Sequence, residues 1–269
     1  MTSRILVSVI ISLFIAVHAF AGERQMNLLS LEWEPYSGSQ MSKNGFVSSV
    51  IIQAYKKAGY KVDITFKPWK YALEIAKKGG ADGVFPAYHV AEREASFIFS
   101  DEICKSPLGL CKRRKIIHPS PGGGVVKGGV NIEFMTDPRI DQVRALMDLK
   151  SYKFGVVKGY ANTQEFDAAN FLVKVQALSD EANIGQLLGD KVQLIVIDKY
   201  VARNIMIRKF PWFAGEVEFM HPALSLKGLY LAVSRNVKNP EEKIQAFNAG
   251  LQILKQDGVF ATLMQQYGF

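Results

Sequence analysis

The chain of 269 residues has only two cysteines and four histidines. They do not cluster at ligand spacing, so no metal centre is expected. The triple glycine at 122–124 is not followed by Gly-Lys-Ser/Thr, so it is not a phosphate-binding loop, and no cofactor is implied. There is no nucleophile–base motif, and no pair of carboxylates at convincing spacing. His89 is the best catalytic candidate, but a lone loop histidine is more often polar surface. Downstream of residue 21 no apolar run is long enough to span a membrane. Disorder is excluded by composition, with 48% hydrophobic and 22% charged residues.

The N-terminus carries the first positive signal. Arg4 precedes Ile5–Val17, an apolar run broken only by Ser8 and Ser12, and Ala19-Phe20-Ala21 has the small-x-small form of a cleavage site. Residues 1–21 thus read as a signal peptide, because the run is shorter than the ~20 residues a membrane helix needs. Removing them takes away Arg4 and no acid, lowering the net charge from +8 to +7. The basic residues are spread along the chain without a nucleic-acid motif, so they describe a solvated surface rather than a nucleic-acid partner.

The mature chain alternates strands and helices, the pattern of an α/β fold. Met26–Leu31 is a strand leading into a Pro- and Gly-containing loop at 32–38. Phe46, Val47, Val50, Ile51, Ala54, Tyr55 and Ala58 recur at helical spacing, and Gly59 stops that helix. Val62, Ile64 and Phe66 alternate as a strand, Pro68 opens a second helix, and Val84-Phe85 forms a third strand. Prolines and glycines break every period over 116–147, which reads as a loop or an added excursion. The same construction then restarts: strand 154–157, helix 163–169, strand 171–175, helix 180–188, strand 192–197 and a helix to about 208. A strand at 229–233 and helices at 240–255 and 259–267 complete it. Each half would form a small doubly wound sheet, with its ligand beyond the carboxyl ends of the strands.

Several segments, in this order and spacing, resemble the extracellular solute-binding proteins of family 3, which serve polar amino-acid ABC transporters. They are Trp33-Glu34-Pro35-Tyr36, Pro68-Trp69, Asp82-Gly83-Val84-Phe85, Val90-Ala91-Glu92-Arg93 and Phe99-Ser100-Asp101. In the second half come Asp148-Leu149-Lys150, the segment from Phe154 to Tyr160, and Val192–Asp198, followed by Asp257-Gly258 and Tyr267-Gly268. The resemblance implies a type II periplasmic binding protein fold of two α/β lobes joined by a two-strand hinge. Residues 22–112 with 226–269 would form the first lobe and 113–225 the second.

It also implies a site. Arg93 matches the arginine that clamps a ligand carboxylate, where a planar guanidinium meets two oxygens with parallel hydrogen bonds; the competing reading is a surface arginine. Asp198 matches the acid that holds the ligand's ammonium, against an ordinary helix N-cap. Trp33, Tyr36 and Trp69 fall where aromatics line the pocket, against core packing. Gly159 and Tyr160 match a loop whose backbone N–H groups help bind the carboxylate. Departures from the pattern are Tyr88 and Val90 ahead of the arginine and Ala161 after Tyr160; they remove side-chain donors and leave the carboxylate to Arg93 and backbone, while the bulk of Tyr88 and Tyr160 suits a small, flat or aromatic ligand.

The implied role is capture of a small polar, amino acid-like ligand in the periplasm by a monomer that delivers it to an inner-membrane ABC permease. A sensory binding protein serving a membrane receptor, or an enzyme on the same fold, are the alternatives. Cys104 and Cys111 form an even pair in an exported chain. A disulfide between them is open: a turn at Ser106-Pro107 would let them meet, and a fully extended segment would not.

Overall fold

The computed structural model describes residues 24–114, 142–220 and 223–269. The expected signal peptide, and residues 116–141 of the expected excursion, lie outside the described residues.

The strands are β1 Arg24–Ser30, β2 Tyr60–Phe66, β3 Gly83–Ala87, β4 Phe97–Phe99, β5 Cys104–Arg113, β6 Lys153–Val157, β7 Val173–Ala177, β8 Leu194–Asp198, β9 Val217–Phe219 and β10 Ser225–Ser234. Between them lie α1 Phe46–Lys57, α2 Trp69–Lys77, α3 Ala91–Glu94, α4 Gln142–Asp148, α5 Gln164–Ala168, α6 Asp180–Leu188 and α7 Lys199–Lys209. Helices α8 Pro240–Gln256 and α9 Val259–Tyr267 close the chain.

The sheet order β2-β1-β3-β10-β5-β8-β6-β7 contains one motif twice. In the first half β1 runs parallel to β2 and β3, with β10 antiparallel to β3. In the second, β6 runs parallel to β7 and β8, with β5 antiparallel to β8. The two long strands join the halves. Ser225–Leu229 of β10 pairs with Cys104–Leu108 of β5, while the rest of β10 pairs with β3 and β4. This is the expected pair of lobes on a two-strand hinge.

Each lobe has its own core. In the first, the apolar face of α1 is wholly buried at Phe46, Val50, Ile51 and Ala54, and packs with Met26, Leu28, Phe85, Phe247 and Leu251. In the second, Leu194–Ile197 of β8 is an unbroken apolar run because both of its faces are covered. Leu194 and Val196 join Phe154 and Phe166 on one side, and Ile195 and Ile197 join Ile184 and Met206 on the other. Leu108 and Leu110 also pack into the second core, ahead of the crossing expected after residue 112. The reason is that residues 104–113 are one continuous strand that leaves one sheet and joins the next.

The cysteines sit on that strand, and both thiols are free. Seven residues of extended chain separate their Cα atoms by roughly 23 Å, far beyond disulfide reach. The turn on which a bridge depended does not form. Another difference concerns 142–147, expected as part of an irregular stretch: these residues lie in helix α4. Leu146 and Leu149 anchor that segment in the second core, and the prolines and glycines that break the pattern all lie before it.

Candidate functional site

The loops after β1, β3 and β6 converge between the lobes on a narrow cleft, open at its mouth. Its walls are Trp33, Trp69, Tyr88 and Tyr160, with Leu31, Pro86 and Ala161 between them; Arg93 is the charged residue of the lining. Trp33 and Tyr88 meet edge to face with ring centroids 6.0 Å apart, a favourable aromatic contact.

Arg93 lies on the short helix α3, directly after the β3 loop. Its Nη1 donates to the Tyr88 carbonyl at 2.9 Å, and its Nη2 reaches across to the Gly159 carbonyl at 3.3 Å. The guanidinium lies 5.6 Å from the Trp69 ring centroid. Burial lowers its pKa, opposed by Glu92 and Asp167, but a guanidinium stays charged regardless. It is therefore a fixed cation with planar donors, set between an aromatic ring and the opposing lobe.

Gly159 holds a φ of +84°, the region that favours glycine, and this turns its carbonyl toward Arg93. The backbone N–H of Tyr160 was expected to help bind a carboxylate, but it donates to the Val157 carbonyl and is already engaged. What Tyr160 contributes is its ring in the cleft wall and its hydroxyl, which donates to Asp180 Oδ2 at 2.9 Å.

Tyr36 and Asp198 do not line the cleft. Tyr36 is fully buried, stacked on Trp33 and tilted against Phe269. Asp198 is 2% exposed and makes four hydrogen bonds. Its Oδ1 accepts from the backbone N–H groups of Tyr200 and Val201, capping α7. Its Oδ2 accepts from Tyr36 Oη at 3.1 Å and Ser106 Oγ at 2.6 Å. Since the Ser106 hydrogen goes to Asp198, the 2.8 Å contact between Tyr88 and Ser106 has the tyrosine as donor. Burial raises the Asp198 carboxyl to about 6 against these donors.

Asp180 is a second buried acid between the lobes, and the sequence did not single it out. It follows the N-cap Ser179, where an acid reads as an ordinary first-turn residue complementing the helix dipole. Burial raises its carboxyl to about 7; the Tyr160 hydrogen bond opposes this and nearby Asp198 adds to it. The Trp33 indole N–H also favours its charged form, yet it is buried and closes no hydrogen bond. Outside the cleft, Arg208 of α7 forms an ion pair with Glu34, a further tie between the lobes. His89 is not part of the lining; it bonds Glu94 at 2.6 Å and packs on Phe99. Among the described residues no group of His, Cys, Asp and Glu could hold a metal, and no helix is long and apolar enough to cross a membrane.

This architecture, two α/β lobes around a cleft with a buried cation, is that of a solute-binding protein. The chain belongs to the bacterial extracellular solute-binding proteins, family 3, whose model matches residues 29–269. Among solved structures it is similar to an ancestral arginine-binding protein bound to arginine, at 17% identity and a TM-score of 0.71, covering 91% of this chain and 99% of that one. It is also similar to the GluR0 ligand-binding core from Nostoc punctiforme in complex with L-glutamate, at 16% identity and a TM-score of 0.68, covering 90% and 98%. A histidine kinase sensor domain with similarity to periplasmic binding proteins shares the fold at 13% identity and a TM-score of 0.71, covering 91% and 96%. No curated protein matches the chain.

Proposed function

We propose that the chain is an exported periplasmic protein that captures a small carboxylate-bearing ligand, an amino acid or a related compound, between its lobes. It acts as a monomer and delivers the ligand to an ABC permease in the inner membrane. The observation that carries this reading is Arg93: a permanent cation in an aromatic cleft, lying over Trp69 and hydrogen-bonded to two carbonyl groups, one from each lobe. A carboxylate offers it a stronger, charge-assisted partner than either carbonyl. The amino-acid ligands named for two structural relatives support the ligand class. The apolar leader at 5–17 supports export.

We assign residues 22–107 with 226–269 to the first lobe and 108–225 to the second, because Leu108, Leu110 and Leu224 pack in the second core and Leu229 in the first. Trp33, Trp69, Tyr88 and Tyr160 supply apolar contact, and Arg93 the charge. Gly159 supplies the turn that faces Arg93, while Tyr36 and Asp198 brace the lobes. The likeness to a sensor domain favours a second reading in which the ligand-bound form engages a membrane receptor. We read the chain as a binding protein rather than an enzyme, in line with its family.

The test is a thermal-shift screen of amino acids, polyamines and small organic acids, followed by calorimetric titration of each hit into wild type and Arg93→Ala. The variant is expected to bind about 2–5 kcal/mol more weakly, because it leaves the ligand's charge unpaired in a closed cleft. No hit in the screen, or unchanged affinity in the variant, would overturn the reading.

A further inference from the structure

We infer that the cleft takes a monocarboxylate with an apolar body and no ammonium group, an organic acid of net negative charge rather than a zwitterion. This rests on the proposed binding function and names its ligand class.

Three of the four aromatic walls turn their polar tips away from the cleft. The Tyr88 hydroxyl donates to Ser106 Oγ on the hinge strand at 2.8 Å, and the Tyr160 hydroxyl donates to Asp180 Oδ2 at 2.9 Å. The Trp33 indole N–H is buried and faces the same acid, whose charged form it favours. The carbonyl groups of Tyr88 and Gly159 already accept from Arg93. A ligand therefore meets ring faces, aliphatic side chains and one guanidinium.

Among the described residues of the lining there is no carboxylate. Both buried acids between the lobes lie behind it. Asp198 is 2% exposed and takes four hydrogen bonds, two from backbone N–H groups and two from hydroxyls. Asp180 is 4% exposed, with the wall residues Tyr160 and Trp33 set against it. A second cation stands close by. Lys227, on hinge strand β10, lies 5.6 Å from the centroid of the Tyr88 ring. Burial lowers its pKa; Asp167 and Glu165 oppose this, and Arg93 adds to it. Neither of those two acids lines the cleft, and Asp167 is engaged by the backbone and side-chain N–H groups of Asn162.

An ammonium entering this cleft would exchange water for surroundings without a carboxylate to receive its three N–H groups. Ring faces attract a cation, but by less than a desolvated ammonium loses. It would also meet the like charges of Arg93 and Lys227. An uncharged apolar body meets neither obstacle. It displaces water from the aromatic faces while its carboxylate takes the planar donors of Arg93.

The experiment titrates matched pairs into wild type and Arg93→Ala by calorimetry: 3-phenylpropanoate with L-phenylalanine, 4-methylpentanoate with L-leucine, and propanoate with L-alanine. Glycine betaine, whose methylated nitrogen has no N–H to satisfy, is a further arm. In wild type the acid of at least one pair should bind about tenfold or more tighter than its amino acid, and tighter than betaine. Arg93→Ala should weaken that acid roughly thirtyfold or more, which places it in the cleft. Melting curves of the unliganded variant establish folding. If no pair shows that preference, or betaine binds more tightly than the acids, the ligand class is overturned while capture of a carboxylate stands. Affinities that ignore Arg93→Ala, or a wild type that binds no probe, remove the functional reading itself.

Discussion

Tyr36 of the first lobe and Asp198 of the second are joined by a 3.1 Å hydrogen bond, the phenol donating to Oδ2, with both residues buried. The bond ties the loop after β1 to the start of α7, and Ser106 on the hinge strand β5 donates to the same oxygen. An acid placed in this way holds the structure together whether or not a ligand is present.

Asp198→Ala is therefore expected to lower unliganded stability by about 2–4 kcal/mol, through the lost cap and the hydroxyls left without an acceptor. For a chain of this size that is a fall of roughly 5–15 °C in melting temperature. Arg93→Ala should move the same melting curve far less, since Arg93 holds only two carbonyls. Differential scanning calorimetry of both variants without ligand distinguishes them; equal shifts would contradict this division of roles.

Stability should depend on pH through the two acids. An unfolded aspartate titrates near 3.9, whereas burial raises Asp180 to about 7 and Asp198 to about 6 in the folded chain. Between these values the folded state binds more protons than the unfolded state, so the contribution of these groups to stability falls as pH rises from about 4 to 7. Asp180→Asn should remove its share, making the variant more stable than wild type at pH 8 by on the order of 3–4 kcal/mol and equal to it near pH 4. Urea denaturation of both proteins at several pH values measures this. A variant with the wild-type slope would show that Asp180 is ionised at low cost.

Thiol chemistry gives a direct check on the hinge. Unfolded, unreduced protein should label at both Cys104 and Cys111, because β5 holds them apart. In the native protein Cys111 should stay unlabelled, since it is 1% exposed and burial raises its thiol pKa. Cys104, pushed up to about 12 by burial and neighbouring acids, should react slowly. Mass spectrometry showing an intramolecular bridge would rule out the extended strand.

The contact between α1 and α8 depends on Gly250, where a Cβ would strike the backbone of Ala54. Gly250→Ala should destabilise the fold by about 1–3 kcal/mol through overpacking, despite alanine's better helix propensity. Gly185 in α6 is the control, since a Cβ there meets nothing within 4 Å. Gly185→Ala should be stabilising by up to about 1 kcal/mol. Chemical denaturation of the two variants should give opposite signs.

Most of the architecture was legible in the sequence because it is local. The helical spacing of Phe46 to Tyr55, the unbroken apolar run ending in Asp198 and the doubled strand–helix order need only periodicity to be read. Arg93 was legible for a similar reason: it follows a buried strand by a few residues, so its place at the sheet's carboxyl edge is fixed by chain length. The roles of Tyr36, Asp198 and Asp180 depended on how the lobes face each other. The same cap geometry at the start of a helix can present an acid to solvent, to a ligand or to the other lobe, and spacing does not distinguish these. Only the tertiary structure brings Tyr36 and Ser106 onto Asp198, fills its oxygens, and sets Tyr160 and Trp33 beside Asp180 behind the cleft wall. The hinge likewise decided the cysteines, since β5 stays extended only because it is paired along its length with β10, β8 and β9.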